Sequence, residues 1–400
     1  MNKLHISCII LSAAMTVGCS QDSITNAPDN DLIKFQPNVE STSRQGMIMN
    51  GGPFYSIGFC VTATHNRNTD HNYFSDQAFT YNGRGWGPAD NFYYPWPNTG
   101  TMYFNAYSPK TLKGSVEVSD GYVMKIKNYK PDVYGGTDVL AGFNIADCAN
   151  HPSYVNLKLH HITSAFLAGF FCENPDVKYE VAAMKLVNIG TNSDFTSPNY
   201  ALINGTVDAI TPYWSTPRET DSYVTVKLSS GQVSPSTLRQ STEDKTFAII
   251  FPDQPEHMFL IPQVMSKSWT PGNSRDGVYI SLLARISVKG TNDNYIQIYP
   301  AQKDKYAWIA IPMPSELMTL MPQRRYFLTV KFCSGANGGV GYIAPDQTNL
   351  DEMLDDLRFT TATPDPLKQT GDPILGGQIE YSVITHGWDD GKGDTSIDLN

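Results

Sequence analysis

The chain has little charge, few cysteines and little sign of helix. Only 17% of its 400 residues are charged, against 40% hydrophobic, a globular composition that excludes a disordered polyelectrolyte. The formal charge is -10 and no basic run occurs, which argues against a nucleic-acid partner. Beyond the N-terminal stretch, no apolar segment approaches the ~20 residues of a membrane-spanning helix. No CxxC spacing is present. Cys60, Cys148, Cys172 and Cys333 lie far apart in sequence, so they read as buried thiols rather than as a disulfide framework. Catalytic signatures are missing too: no HExxH, no Gly-x-Ser-x-Gly elbow, no Walker loop and no GxGxxG. Nothing calls for a cofactor.

Two sequence features could still hold a metal. His160 and His161 are adjacent, so on a strand they point to opposite faces and read as structural histidines. Asp389-Asp390-Gly391-Lys392-Gly393-Asp394 lacks the alternating ligands of a calcium loop and reads as an acidic tail. No metal site is expected.

The first residues have an address rather than a fold. Lys3 precedes an uncharged run from Ile6 to Val17, the length of a signal-peptide core and too short to span a bilayer. Gly18 stands directly before Cys19. This resembles the bacterial lipobox, with Thr16 where the pattern has Leu. The resemblance implies that residues 1–18 are removed and that Cys19 carries acyl chains such as palmitate, enough for stable anchoring. Residues 19–31 are polar, acidic and aperiodic and read as a flexible tether. Asp22, close behind Cys19, is similar to the surface-export signal of Bacteroidota lipoproteins.

From residue 32 onward strand signals dominate. Alternating runs include Ile33–Gln36, Met102–Tyr107, Val123–Ile126, Val155–Leu159, Tyr179–Ile189, Tyr223–Leu228, Thr246–Phe251, Val278–Val288, Tyr295–Tyr299, Tyr306–Ile311, Tyr326–Phe332 and Gln378–Ile384. They are separated by turn residues, with 31 Gly and 26 Pro spread through the chain. About a dozen or more such runs predict an all-β protein built from antiparallel sandwiches. Helix is expected only at Leu350–Leu357 and in a turn at Ser315–Met321. A Thr/Asn/Ser/Gly/Pro-rich break from Gly190 to Pro212 divides the chain into 32–200 and 201–400.

A series of short motifs is similar to a known family. Trp96-Pro97 precedes Phe104-Asn105-Ala106-Tyr107-Ser108-Pro109. Thr137-Asp138-Val139-Leu140-Ala141-Gly142 and Val155 to Phe166, with its His160-His161-Ile162-Thr163, follow. Met258-Phe259-Leu260-Ile261-Pro262-Gln263 comes later. In order and spacing these resemble the fimbrillin-like lipoproteins of Bacteroidota, the stalk, tip and anchor subunits of fimbriae. The resemblance implies two tandem transthyretin-like β-sandwiches and a non-enzymatic subunit or adhesin of the outer-membrane surface. Its partners would be other fimbrial subunits, the outer membrane through the lipid, and host or bacterial surface ligands. It also implies strand exchange: a trypsin-like protease cuts after an arginine behind the first strand, and a neighbour's strand fills the groove.

Mapped here, the first strand is Leu32 to Pro37, with Ile33 and Phe35 on one side, and the cleavage residue is Arg44. The donor strand is Gln378 to Ile384, with Ile379, Tyr381 and Val383 on one face; its other reading is the ordinary last strand of the second domain. The polar tail Asp389 to Asn400 departs from the C-terminal donor of stalk subunits and leaves tip or anchor roles open. A rival function is carbohydrate binding by a surface lipoprotein of glycan uptake, with Tyr94 and Trp96 in Phe92-Tyr93-Tyr94-Pro95-Trp96-Pro97 as stacking rings. That reading requires those rings to be exposed.

Overall fold

The computed structural model describes residues 31–39, 51–66, 71–119, 123–131, 138–197, 213–218, 222–227, 236–238, 258–272, 276–337, 339–344, 362–374 and 379–387. Among these the chain is all-β, as expected. The one α-helix among the described residues, α1 (Gly51–Ile57), falls where no helix was expected. Gly58 ends it: its φ of 73° suits the left-handed cap that glycine favours, and its N–H donates back to the Phe54 carbonyl at 2.8 Å.

The first strands are β1 (Phe35–Val39), β2 (Phe59–His65), β3 (Phe74–Tyr81), β4 (Trp86–Pro88), β5 (Thr101–Ser108), β6 (Val116–Ser119), β7 (Val123–Tyr129), β8 (Leu140–Asp147) and β9 (Val155–His161). Seven of them make one sheet in the order β1-β9-β8-β5-β2-β3-β4. Period two sorts the side chains of β2: Phe59, Val61 and Ala63 enter one core and Cys60 the other. The first of these cores lies inside the curl of the sheet, where Phe35 of β1 meets rings from β2, β3 and β5. Phe54 of α1 joins it.

Then follow β10 (Ser164–Cys172), β11 (Val177–Ile189), β12 (Ser193–Thr196), β13 (Tyr213–Trp214), β14 (Ser222–Lys227), β15 (Ser236–Thr237), β16 (Met258–Leu260), β17 (Gln263–Val264) and β18 (Tyr279–Lys289). The last are β19 (Tyr295–Tyr299), β20 (Ala307–Pro312), β21 (Thr319–Leu320), β22 (Arg324–Asn337), β23 (Gly341–Tyr342) and β24 (Ile379–Gly387). One sheet runs β16-β10-β22-β24 and another β14-β11-β18-β20-β23, with β15 beside β11 and β19 beside β18. The largest core lies between these two sheets. It is filled by Phe170 from β10, Tyr179 from β11, Leu282 from β18, Ile309 from β20 and Leu328 from β22.

Two features depart from the expected arrangement. The sheets are not purely antiparallel, because β1 pairs with β9 and β10 with β22 in parallel. Parallel partners need long connections, and more than a hundred residues separate each of these pairs. The pairing also crosses the expected division at 200/201. β10 and β11 join strands from the second half. β12 and β13 return to the first, in a sheet of order β13-β12-β7-β6. Of the two expected helical stretches, Ser315–Leu317 forms a single 3-10 turn with Leu317 buried, and Leu350–Leu357 lies outside the described residues.

Candidate functional site

The N-terminal strand closes the first core from the edge of its sheet. Its approach is held by main-chain contacts to the aromatic segment before β5. Ile33 N–H donates to the Tyr94 carbonyl and Trp96 N–H to the Asp31 carbonyl, both at 2.8 Å. The strand then runs beside β9 in register, Phe35 opposite Val155 through Val39 opposite Leu159. Phe35 is buried, while Gln36 and Asn38 are exposed, the alternation of a strand with one wet face. Pro37 lacks an N–H, which an edge position tolerates. Ile33 and Phe35 are both 2% exposed and enter the same cluster. The Phe35 ring lies 5.3 Å from that of Phe104 and 6.4 Å from that of Phe59. Arg44 and Cys19 lie outside the described residues.

The candidate donor strand, β24, is at an edge as well. It pairs antiparallel with β22 from Arg324 opposite Gly387 to Phe332 opposite Ile379. Ile379 is 2% exposed. Tyr381 and Val383 are half-buried against the same core. Within one chain β24 therefore completes its own sheet, and its three inward residues are occupied.

The aromatic segment is packed rather than displayed. Trp96, 7% exposed, stacks on His151 with centroids 4.7 Å apart and planes 5° from parallel. Its edge meets Phe104 at 5.8 Å. Tyr94 is half-buried and stacks on Phe74 at 4.5 Å. The nearby Tyr73 hydroxyl donates to the Pro95 carbonyl at 2.8 Å. Trp96 and Tyr94 thus do not form a flat exposed platform.

A buried polar cluster was not legible as such. The Asp138 carboxylate, fully buried, bonds His161 Nδ1 at 2.5 Å and accepts the Thr163 hydroxyl at 3.0 Å. A buried carboxylate needs such partners. Together they staple the chain entering β8 to the turn between β9 and β10. The only hint in the sequence was that Asp138 and His160-His161-Ile162-Thr163 both sit in motifs of the resemblance. His161 is committed to Asp138, and among the described residues no three of His, Cys, Asp and Glu gather as metal ligands. No helix among them is long and apolar enough to cross a membrane.

The joint between the two groups of strands is polar at its centre. Gln263 accepts the Gly190 N–H at 2.7 Å and donates to the carbonyls of Gly190 and Ile261, each at 3.0 Å. The Trp214 indole donates to the Ile162 carbonyl at 2.7 Å. Beside this joint an open groove is lined by Trp214, Pro217, Val264 and Met321, of which Val264 and Met321 are exposed.

The chain belongs to the fimbrillin-like family, whose pattern it matches over residues 54–332. No curated protein matches its sequence. Among solved structures it is similar to a fimbrial protein from Bacteroides vulgatus, at 12% identity and a TM-score of 0.44, covering 75% of this chain and 94% of that one. It is also similar to the tip fimbrial protein Mfa3 from Porphyromonas gingivalis, solved with a C-terminal truncation, at 11% identity and a TM-score of 0.33, covering 89% and 98%.

Proposed function

We propose that the protein is a structural subunit or adhesin of a cell-surface fimbria, held to the outer membrane by acyl chains on Cys19 and joined to its neighbours by strand exchange. Its role is structural rather than catalytic. Its partners are other fimbrial subunits and, at an exposed end, ligands on host or bacterial surfaces. The reading rests on family membership and on one observation above all. β1 is an edge strand, and its Phe35 fills the centre of the first core. Removing β1 would leave the β9 edge unpaired and a ring-sized gap beneath it. An unpaired edge over an open core is what an added strand satisfies, with main-chain hydrogen bonds along the edge and a side chain in the gap.

In this reading Arg44, behind β1, is the cleavage residue, and β24, with Ile379, Tyr381 and Val383, is the donor once it leaves β22. The two units are tandem transthyretin-like sandwiches. β10 and β11 belong to the second, and β12 and β13 complete the first. The carbohydrate-binding alternative needs exposed rings, and the burial of Trp96 against His151 gives it no support.

Limited trypsin digestion of the full chain, made without lipidation, tests the proposal, with N-terminal sequencing and electron microscopy as readouts. The expected result is a cut after Arg44 followed by ladders or filaments. A chain cut at Arg44 that stays monomeric would overturn the polymerising role.

A further inference from the structure

The largest core brings together two cysteines from neighbouring strands. Cys172 ends β10 and Cys333 lies in β22, its parallel neighbour. Register sets Cys172 opposite Phe332, one residue short of Cys333. In a regular strand that offset would turn Cys333 to the opposite face. The strand is irregular at this point. Phe332 and Asn337 both pair with Ile379, so the residues between them bulge out of the ladder. Cys333 has a φ of 61°, a conformation that cysteine adopts rarely. Its side chain consequently packs against the cluster that holds Cys172, Phe332 and Tyr179, while the Cys172 thiol donates to the Val177 carbonyl at 3.3 Å.

The two sulfurs are not equivalent. Cys172 is buried, whereas Cys333 is half-buried and open to reagents. The contact with Cys172 holds the Cys333 thiol below its ordinary value. The contact with Cys333, and then burial, push Cys172 up. Cys60 and Cys148 lie in the cores of the first group of strands, where burial raises both thiols. A strained backbone that presents a thiol to a second thiol is a pattern found at functional sites.

We propose that Cys172 and Cys333 are a reactive dithiol that closes to a disulfide under oxidising conditions, locking β10 to β22 at the bulge that receives the first residue of β24. The oxidant is a disulfide of another protein or of a small thiol. Cys333, as thiolate, attacks one of its sulfurs and expels the other as thiolate, leaving a mixed disulfide on Cys333. Cys172 loses its proton, attacks the Cys333 sulfur and expels the second thiolate. The two cysteines lose two electrons and two protons, and the oxidant gains them as two thiols. The bond would join strands far apart in the chain, the case in which closing a loop constrains the unfolded state most.

The test uses the purified full chain, first reduced and then equilibrated with oxidised glutathione. Because the oxidant is supplied, the result does not depend on where the protein resides. After acid quenching the chain is denatured, treated with N-ethylmaleimide, digested and mapped by mass spectrometry. The expected map shows a Cys172–Cys333 linked peptide with Cys60 and Cys148 alkylated. Tm should rise by about 5–10 °C on oxidation and return on reduction. In Cys172→Ser, which lacks the resolving thiol, glutathione should remain on Cys333. Alkylation of all four of these cysteines after oxidation, a bridge between any other pair, or glutathione retained on wild-type Cys333 would overturn the proposal. If the serine variant does not fold, the wild-type map alone decides.

Discussion

Phe35 stands edge-on to Phe79, with ring centroids 4.8 Å apart and planes at 77°. Four strands of the same sheet, β9, β8, β5 and β2, separate β1 from β3, so this contact reaches across the curl of the sheet. Truncating Phe35 to alanine should cost about 3–5 kcal/mol, read as a lower urea midpoint at unchanged slope. Gln36→Ala, one residue on and exposed, should change stability by less than about 0.5 kcal/mol. Equal effects from the two substitutions would mean that Phe35 does not seat the strand.

Glu180 is a buried acid held by two cations. Its carboxylate accepts Arg285 Nε at 2.9 Å and Lys178 Nζ at 3.1 Å. Burial raises its pKa, but the hydrogen bonds and charges of Arg285 and Lys178 outweigh it and leave the group below its ordinary value. The pair therefore stabilises the fold above the unfolded pKa of about 4.3, and that contribution is lost as pH falls through the lower folded value. Arg285→Ala leaves the carboxylate buried with Lys178 alone, at a cost of about 3 kcal/mol at neutral pH. The gap to wild type should narrow as pH falls from about 7 to 4, because the uncompensated acid then takes up a proton. A gap that stays constant with pH would assign the loss to packing of the Arg285 stem.

Asp194 tethers β12 to β7. Its Oδ1 accepts the Asn128 N–H at 2.7 Å, and its two oxygens meet the Arg218 guanidinium at 2.9 and 3.1 Å. Hydrogen bonds from Arg218 and then from the Asn128 backbone hold its pKa down to about 2. Its contribution should be complete above about pH 4, the unfolded value, and vanish as pH falls to the folded one. The pair is solvent-exposed, so the contribution is screened to about 1 kcal/mol or less and shrinks with salt. NMR titration of the Asp194 carboxyl carbon in wild type and Arg218→Ala checks it. The variant should titrate nearer to an ordinary aspartate.

The Asp138–His161–Thr163 cluster should respond to charge and shape separately. Asp138→Ala strands two buried polar partners and should cost about 3 kcal/mol or more. Asp138→Asn keeps an acceptor for the Thr163 hydroxyl and should cost less. Chemical denaturation of both variants measures the difference, and equal losses would mean that the carboxylate charge facing His161, and neither the side-chain volume nor the bond to Thr163, carries the stability.

The strands that could be read from the sequence are those with polar residues interleaved among β-branched and aromatic ones. Met102–Tyr107, Val155–Leu159, Tyr179–Ile189 and Tyr326–Phe332 all lie within strands. β10, with the sequence SAFLAGFFC, leaves only Leu167 partly exposed, so it shows no alternation and its periodicity carries no signal. The parallel neighbours β1 with β9 and β10 with β22 were equally hidden. Nothing local encodes a partner more than a hundred residues away. The turn-rich stretch 190–212 holds a strand, β12, and its residues 198–212 lie outside the described residues; turn chemistry does not report which sheet the next strand joins. Burial of Trp96 was invisible for a related reason: an aromatic cluster reads the same in sequence whether its rings face a sugar or one another. Contact between Cys172 and Cys333 depends on a bulge and one positive φ, which no spacing rule anticipates.

The return of β12 and β13 to the first group of strands has a bearing on how the protein is made. As the chain emerges from the ribosome, β6 and β7 appear early, but their neighbour β12 must wait for β10 and β11, whose own partners are later still. Trp214 and Phe195, which pack with Met124 and Ile126 in the core that Cys60 enters, arrive only after more than sixty further residues. The N-terminal half is thus left with an uncovered apolar face until synthesis has passed the chain's midpoint. A nascent chain released before residue 214 should be a client for chaperones, and its completion a matter of timing as much as of sequence.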